Sequence, residues 1–552
     1  MVSSKHQLTM RNALCIAAIT VGAALGAQPS ANDQGRKFYA DDPLLQEPPP
    51  RPVHNIVTRS VDHIYDFLEG SYLTPRREGK LRKRAPQTAL DVNTLGEVPN
   101  SSWYTNRHAF QRMSIADLKR GPGNSTPPDP NGAWRITAAK SNGVTPGFVI
   151  EDAQKNRYLL KFDPPEYPEL CSAADVIGSK LFYALGYSTP ENYIVHFSRK
   201  QLETAEGVLY RDPSGKKSPL TDRVVDELLK SQPKSPDGTY RALASRWLEG
   251  KVIGPFNYHG TRSDDPNDTI AHENRRVLRG LAVFASWVNH HDTSQINTMD
   301  VLLAENGSEY VKHNLIDFGS ILGSRGDRAK EPWTGHEYVI SHRDTLARAA
   351  SLGLYVPRWE RSEYPSFRGV GLFDSWSFDP LQWKPEVANP AFLMMDKADA
   401  FWAAKQVAAF TNDELRAIVE TGQYSDPQAA DWILQCLIER RDKIAQAWFS
   451  KVLALDRFRV RDGRLEFEDL SATYETGTPR SYEVRWSTYD NQQGVLTPLS
   501  DAGGATIPAA PGAEYLAATV GCNADPGKSC PNRVTVYLRR TANDFQVVGI
   551  DR

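Results

Sequence analysis

Asn289-His-His-Asp292-Thr-Ser-Gln-Ile-Asn297-Thr-Met-Asp300 leads through Val301-Leu-Leu-Ala304, Glu305-Asn-Gly-Ser308 and Glu309 to Ile316 into Asp317-Phe318-Gly319, and this stretch decides the fold. Its two apolar runs flank an Asn-Gly pair. They predict a β-hairpin, because both turn residues tolerate the positive φ that a tight hairpin needs. Such a hairpin returns Asp317 beside Asn297. Upstream, Thr269 to Val288 sets Ile270, Val277, Leu281, Phe284 and Val288 on one face and predicts a long helix that delivers a loop carrying Asp292. The residue types suit one chemistry. Asp292 can accept a proton from an attacking hydroxyl, and the oxygens of Asn297 and Asp317 can share a hard divalent cation.

The segment from Trp134 to Phe197 supplies the other half. Trp134-Arg-Ile-Thr-Ala138, Gly147-Phe-Val-Ile-Glu151 and Arg157-Tyr-Leu-Leu-Lys-Phe162 read as strands, the last two joined as a hairpin through Asp152-Ala-Gln-Lys-Asn156. Ala173, Ile177, Leu181 and Leu185 then mark a helical face closed by Gly186, and Tyr193-Ile-Val-His-Phe197 returns as a strand. Lys161 shares a strand face with Leu159, so both can line one pocket. Two acids stand near enough in sequence to pair with it: Glu169 before the helix and Asp175 within it, the latter preferred for its place in the helical pattern.

Composition bounds the rest. The 552 residues are too many for one compact core, so several structural units are expected. With 65 basic against 67 acidic side chains, no long-range pull towards nucleic acid arises, and no nucleic-acid partner is expected. Lys5, His6 and Arg11 precede the apolar run Ala13 to Ala27, the pattern of a secretory signal peptide ending near Ala27. The run is shorter than the twenty or so residues of a membrane span, so an exported chain, periplasmic or secreted, with no span after signal removal is the reading. Of the remaining cysteines, Cys522 and Cys530 bracket a short polar loop and suit a disulfide in an oxidising compartment, whereas Cys171 and Cys436 fall in apolar helical patterns and are expected to be buried.

Elsewhere the pattern is coarser. Residues 28–60, with Pro48-Pro-Pro-Arg-Pro52, read as a tether or wrapping arm, and 61–130 as loops around one short helix from Val61 to Leu68. A helix at 221–230, a strand pair near 250 and helices over 387–454 follow, and from Phe458 the chain is all-β. Asp264-Asp-Pro-Asn-Asp268, just ahead of the long helix, reads as capping rather than as a calcium loop. His290 and His291 are read as solvated loop residues, or else as groups supporting Asp292.

An aspartate, an asparagine five positions on, a short hairpin and Asp-Phe-Gly occur in that order in protein-kinase catalytic lobes. Over about 134–325 the chain resembles the atypical branch of the protein-kinase-like superfamily: HipA-type, CotH-type and secretory-pathway kinases. Over most of 90–455 it also resembles a group of exported bacterial proteins without an established function, through Val98-Pro-Asn-Ser-Ser-Trp103, Lys161-Phe-Asp-Pro164, Gly186-Tyr-Ser-Thr-Pro-Glu-Asn192 and Leu315-Ile-Asp-Phe-Gly-Ser320. The resemblance implies an α+β, bilobal protein-kinase-like fold. Its units would be a signal peptide (1–27), an arm and loop-rich extension (28–130), an N-lobe (131–200), a helical C-lobe (201–455) and a C-terminal all-β, sandwich-like module (456–552).

It also implies ATP as co-substrate with Mg²⁺ or Mn²⁺. Lys161, paired with Asp175, would contact the phosphates, and the loop from Lys140 containing Gly143 and Gly147 would cover them. Asp292 would be the base, and Asn297 and Asp317 would hold metal. The γ-phosphoryl group would pass to a hydroxyl on a protein, sugar or small molecule. Nucleotidyl transfer on the same fold, or a catalytically silent binding protein, are the alternatives. Three features depart from the pattern: the phosphate loop lacks a full G-x-G-x-x-G, His291 stands where conventional kinases have arginine, and no clear Ala-Pro-Glu follows Asp317.

Overall fold

The computed structural model describes residues 36–552 except 62, 75–86, 124–126, 141–146, 212–215, 306, 341–345, 347, 352–353, 475–480 and 524–532. The expected signal segment, Gly143, Asn306 of the hairpin turn and Cys530 lie outside the described residues. Cys522 is disulfide-bonded, and Cys171 and Cys436 are buried free thiols.

Two short helices, α1 (His63–Leu68, prolonged by a π-helical turn Glu69–Leu73) and α2 (Ile115–Arg120), precede a six-stranded sheet. β1 (Trp134–Ala139), β2 (Gly147–Glu151) and β3 (Arg157–Lys161) form an antiparallel meander in which Gly147 pairs with Lys161. The paired backbone leaves no room for a side chain at Gly147, where a Cβ would stand 2.2 Å from the Leu160 carbonyl oxygen. After α3 (Leu170–Ala184), β4 (Asn192–Phe197) returns to the sheet and β5 (Leu202–Thr204) adds in parallel to β1. β6 (Leu209–Arg211) and β7 (Lys217–Pro219) make a separate ribbon, followed by α4 (Asp222–Lys230).

The strand pair expected near 250 is not a pair. β8 (Tyr240–Arg246) inserts between β3 and β4, giving the order β4-β8-β3-β2-β1-β5, whereas β9 (Lys251–Gly254) joins a different sheet. Only long-range pairing separates these adjacent strands. Trp134, Phe148, Leu160 and Phe197 pack one face of the six-stranded sheet against Val225 and Leu229 of α4.

α5 (Arg276–Val288) is shorter than the periodicity predicted, because 272–274 form a tighter 3₁₀ turn ahead of it. Its first N–H groups, of Arg276 and Val277, donate to the carboxylate of Asp91. The Asp264–Asp268 run therefore does not cap it. Asp268 instead accepts from Arg262 N (2.6 Å) and Arg275 Nη2 (3.1 Å) and faces His272 Nε2 (2.8 Å). All thirteen residues of α5 are buried, as the axle of the largest core. The expected hairpin follows as β10 (Thr298–Glu305) and β11 (Ser308–Leu315), with β9 on its outer edge. α6 (Pro390–Leu393), α7 (Lys397–Ala408) and α9 (Pro427–Phe449) pack on α5, and α8 (Asn412–Glu420) packs on α9.

From Leu455 onward the regular elements among the described residues are strands only. β12 (Leu455–Arg461) and β13 (Arg464–Asp469) form a hairpin, and β14 (Ser481–Asp490), β15 (Val495–Gly503), β16 (Tyr515–Asn523), β17 (Val534–Arg540) and β18 (Phe545–Asp551) form an antiparallel sheet in the order β15-β14-β16-β17-β18. The arm wraps onto it. Phe38 is sunk among Tyr489, Tyr515 and Tyr537, and Asn491 bonds both the N–H and the carbonyl of Phe38.

α3 positions the site. Its capping position, Glu169, has a left-handed backbone and makes no side-chain cap. Asp163 reaches in instead, accepting from Cys171 N (2.8 Å), Ser172 N (2.7 Å) and Ser172 Oγ (2.5 Å). Gly178 lets Phe318 lie against the helix, since a Cβ there would stand 2.5 Å from Phe318 Cβ and 2.7 Å from Ile321 Cδ1. Gly178→Ala is expected to cost about 1–3 kcal/mol by overpacking. Gly503→Ala, with nothing within 4 Å, is expected to stay within about 0.5 kcal/mol. Urea unfolding of both variants checks this, and equal midpoints would refute the close contact.

Candidate active site

β3 ends at Lys161, whose Nζ donates to Asp175 Oδ2 at 2.8 Å and to Asp317 Oδ1 at 2.7 Å. One ammonium thus joins the strand, the helix and the Asp-Phe-Gly segment. Asp175 is buried, while the Asp317 side chain is 54% exposed at the open side of the cleft. Burial disfavours the Lys161 ammonium, but the two carboxylates outweigh it and hold its pKa above the ordinary lysine value. Burial pushes the Asp175 carboxyl up, against Lys161, which pulls it down. The same ammonium holds Asp317 below the ordinary carboxylate range.

Asp175 is further fixed at Oδ1 by Asn192 Nδ2 (2.9 Å) and Phe318 N (3.1 Å). Of the two acids open to Lys161, the structure brings Asp175 to it. Glu169 instead accepts from Ser425 N. Asp317 has φ 60° and ψ 62°, a left-handed conformation that non-glycine residues seldom adopt and that asparagine and aspartate tolerate better than most. It turns Phe318 inward to stack on Phe182 (ring centroids 4.9 Å apart).

The loop after α5 is equally fixed. Asn289, left-handed at φ 54°, ends the helix and accepts from Trp383 Nε1 at Oδ1 and from Lys330 Nζ at its carbonyl. Asn297 Nδ2 donates to the Asp292 carbonyl (2.8 Å), and the Asn297 carbonyl accepts from Ile316 N (3.0 Å). The hairpin therefore ties the asparagine to the residue before Asp317, as its spacing predicts. Ser294 Oγ donates to Asp292 Oδ1 (3.2 Å). Burial raises the Asp292 pKa, hydrogen bonding lowers it and the nearby Asp317 charge raises it.

His290 and His291 are not solvated. Both are buried, and burial, with the charge of Lys330, lowers their pKa values, that of His290 to about 3. His291 accepts Glu386 N at its carbonyl.

Sequence reasoning missed several contributors. Asn192 and Asp163 each lie in stretches quoted above for a resemblance, but neither spacing nor periodicity marks them as supports of Lys161 and α3. Lys330 gives no local signal at all. Lys140 was read only as the start of a loop. Burial lowers its pKa, Lys161 lowers it further and Asp317 opposes. Gly147 sits at the cleft edge opposite Lys161, and what forces a glycine there is the Leu160 carbonyl.

The donor set suits a divalent cation. Asn297 commits its amide nitrogen to Asp292 and keeps an oxygen to offer, and Asp317 presents a half-exposed carboxylate. Lys161 balances only one of two carboxylates, so the cluster carries surplus negative charge. Among the described residues no group of three or more His, Cys, Asp or Glu side chains is placed to hold a metal ion, and no helix is long and apolar enough to cross a membrane.

No protein-family model matches the chain. No curated protein matches it either. Among solved structures it is similar to the Golgi casein kinase (9% identity, TM-score 0.27, covering 75% of this chain and 96% of that one). It is also similar to the Golgi casein kinase with Mn and ADP bound (10% identity, TM-score 0.26, covering 71% and 91%). No inference about chemistry follows from superpositions so loose.

Two predictions follow from the cluster. Lys161→Met leaves Asp175 buried without a counter-charge and is expected to lower stability by roughly 3–5 kcal/mol. Adding Asp175→Asn should recover part of that loss in urea unfolding, and additive losses would refute the pairing. For His290, the folded state stays neutral below the usual pKa of 6.5 while the unfolded chain takes a proton. Stability is therefore lost as pH falls from 6.5 towards 3, by about 1.4 kcal/mol per pH unit. His290→Gln should flatten that slope, and parallel pH curves for the two proteins would contradict it.

Proposed function

We propose that the chain is an exported kinase-like phosphotransferase of bilobal architecture with a terminal β module, moving the γ-phosphoryl group of ATP to a hydroxyl acceptor. The observation that carries this reading is the Lys161 ammonium held between Asp175 and Asp317, with Asp292 and Asn297 tied to the same cleft by the hairpin. A structural ion pair would not need a base-bearing loop braced from several directions or a left-handed aspartate at the cleft mouth.

In this reading Lys161 receives the nucleotide phosphates while Asp175 holds it in place. Asn297 and Asp317 would hold Mg²⁺ or Mn²⁺, which supplies charge neutralisation for the phosphates when bound. Asp292 orients the acceptor. Its carboxylate takes the hydroxyl proton as the acceptor oxygen bonds to the γ-phosphorus and the bond to the β–γ bridging oxygen breaks, releasing ADP. The raised pKa of Asp292 makes it a better proton acceptor than a solvated aspartate. Export rests on residues 1–27 and the disulfide at Cys522.

A thermal-shift titration with ATP and Mg²⁺ tests the assignment. ATP at a hundred times its Kd is expected to stabilise the protein by about 2.7 kcal/mol in a metal-dependent way, and Asp317→Ala is expected to abolish the shift. Asp292→Asn should keep the shift and lose transfer from γ-labelled ATP by about 10²–10⁴-fold. Label transferred from the α-phosphate would instead identify nucleotidyl transfer. No shift in folded wild-type protein would refute the proposal in favour of a silent binding protein.

A further inference from the structure

The loop between Asp292 and Asn297 has a second face. There α1 and its π-helical extension meet the loop around a cavity of about 40 Å³, lined among others by Asp66, Glu69, Thr293, Ser294, Gln295 and Asn389. That volume has room for roughly three water-sized atoms, enough for the end of a small molecule and not for a nucleotide.

Two side chains in its wall are incompletely bonded. Gln295 and Thr293 are only 7% and 6% exposed, yet Gln295 Oε1 and Thr293 Oγ1 find no hydrogen-bond partner among the described residues. An unpaired buried acceptor costs about 1–3 kcal/mol, and an incoming donor removes that cost. The Gln295 oxygen can only accept. Its amide nitrogen is already spent on Asp66 Oδ1 at 2.6 Å. The lining is also acidic. Asp66 and Glu69 both present carboxylates, the latter 3.6 Å from His259 Nε2. Burial raises the Asp66 pKa, and Glu69 and Asp292 raise it further, as crowded like charges must.

A hydroxyl in its wall reaches the proposed base: Ser294 lines the cavity and donates to Asp292 Oδ1. We infer that this pocket receives the acceptor, and that it selects a small hydroxyl-bearing group with an adjacent neutral or cationic hydrogen-bond donor, as in a vicinal diol or an amino alcohol, against an anionic one.

The inference rests on the phosphotransfer reading for the acceptor role, though not for binding. The acceptor hydroxyl gives its proton to Asp292 and forms the oxygen–phosphorus bond, and ADP departs with the β–γ bridging oxygen. Meanwhile the neighbouring donor bonds Gln295 Oε1 or Asp66. An anion at that position would meet the Asp66 and Glu69 carboxylates, with His259 as the one basic side chain in the lining among the described residues.

The full-length protein tests this with three probes of similar size: ethanolamine, glycerol and glycerate. Without nucleotide, saturation-transfer NMR should show ethanolamine and glycerol bound and competing, with glycerate at least fivefold weaker. Asp66→Asn and Gln295→Leu should each weaken ethanolamine at least fivefold. With ATP and Mg²⁺, phosphoethanolamine or glycerol phosphate should form.

Glycerate bound as tightly as glycerol, or wild-type affinities in both variants, would overturn the pocket. If Gln295→Leu does not fold, Asp66→Asn decides alone. Probe binding without phosphorylated product, in protein that ATP and Mg²⁺ do stabilise, would overturn the acceptor role. Probe binding in protein that ATP does not stabilise would uphold the pocket and count against the phosphotransfer reading itself.

Discussion

A single ammonium between two carboxylates organises this molecule. Lys161 ends a central strand, Asp175 lies on a helix buried at every position but Tyr183, and Asp317 follows a hairpin on the opposite side of the cleft. None of these elements is close to the others in sequence beyond the fourteen residues from Lys161 to Asp175. In a low-dielectric setting the ammonium is tolerable only with its carboxylates, and Asp175 only with the ammonium. Position is therefore mutually enforced. The sheet, α3 and the Asp-Phe-Gly segment must dock correctly together or bury an unbalanced charge.

Everything around the cluster serves that docking. Asp163 caps α3 from outside the helix, which frees the helix start to approach the end of β3. Gly178 removes the one side chain that would hold Phe318 away, and Phe318 N then completes the bonding of Asp175. On the other side, α5 is buried all round and stops at a left-handed Asn289, so the loop bearing Asp292 leaves the helical core at a fixed point. Trp383, Lys330, Glu386 and Asn389 brace that loop through its backbone or through Asn289. Side-chain and main-chain bonds from distant segments take the place of regular structure.

Local chemistry was legible in the sequence and long-range geometry was not. The hairpin, the strand ending at Lys161, the helix carrying Asp175 and the order Asp292, Asn297, Asp317 all follow from turn chemistry and periodicity, and the structure sets these residues around one cleft. The choice between Glu169 and Asp175 stayed open until the fold showed Glu169 bonded elsewhere. β8 could not be assigned to its sheet, because its alternation suits any antiparallel neighbour. The long helix was overextended because Ile270 happens to fall on the apolar face, although His272 to Asn274 close a tighter turn. Asp268 looks like a cap by position, but its partners Arg262, His272 and Arg275 are supplied by a folded loop. His290 and His291 look solvated in a polar stretch, yet both are buried, His290 against Phe182 and Phe318.

The cleft and the arm-side pocket lie on two faces of one short loop. On the cleft side the Lys161 ammonium stands between Asp175 and Asp317. On the other side Asp66 and Glu69 share a wall with the Gln295 and Thr293 oxygens that find no hydrogen-bond partner among the described residues. Asp292 stands between the two, linked to one by its proximity to Asp317 and to the other by Ser294. In the phosphotransfer reading proposed above, this loop would stand between the bound phosphates and the acceptor, with Asp292 reached from one side past Asp317 and from the other through Ser294.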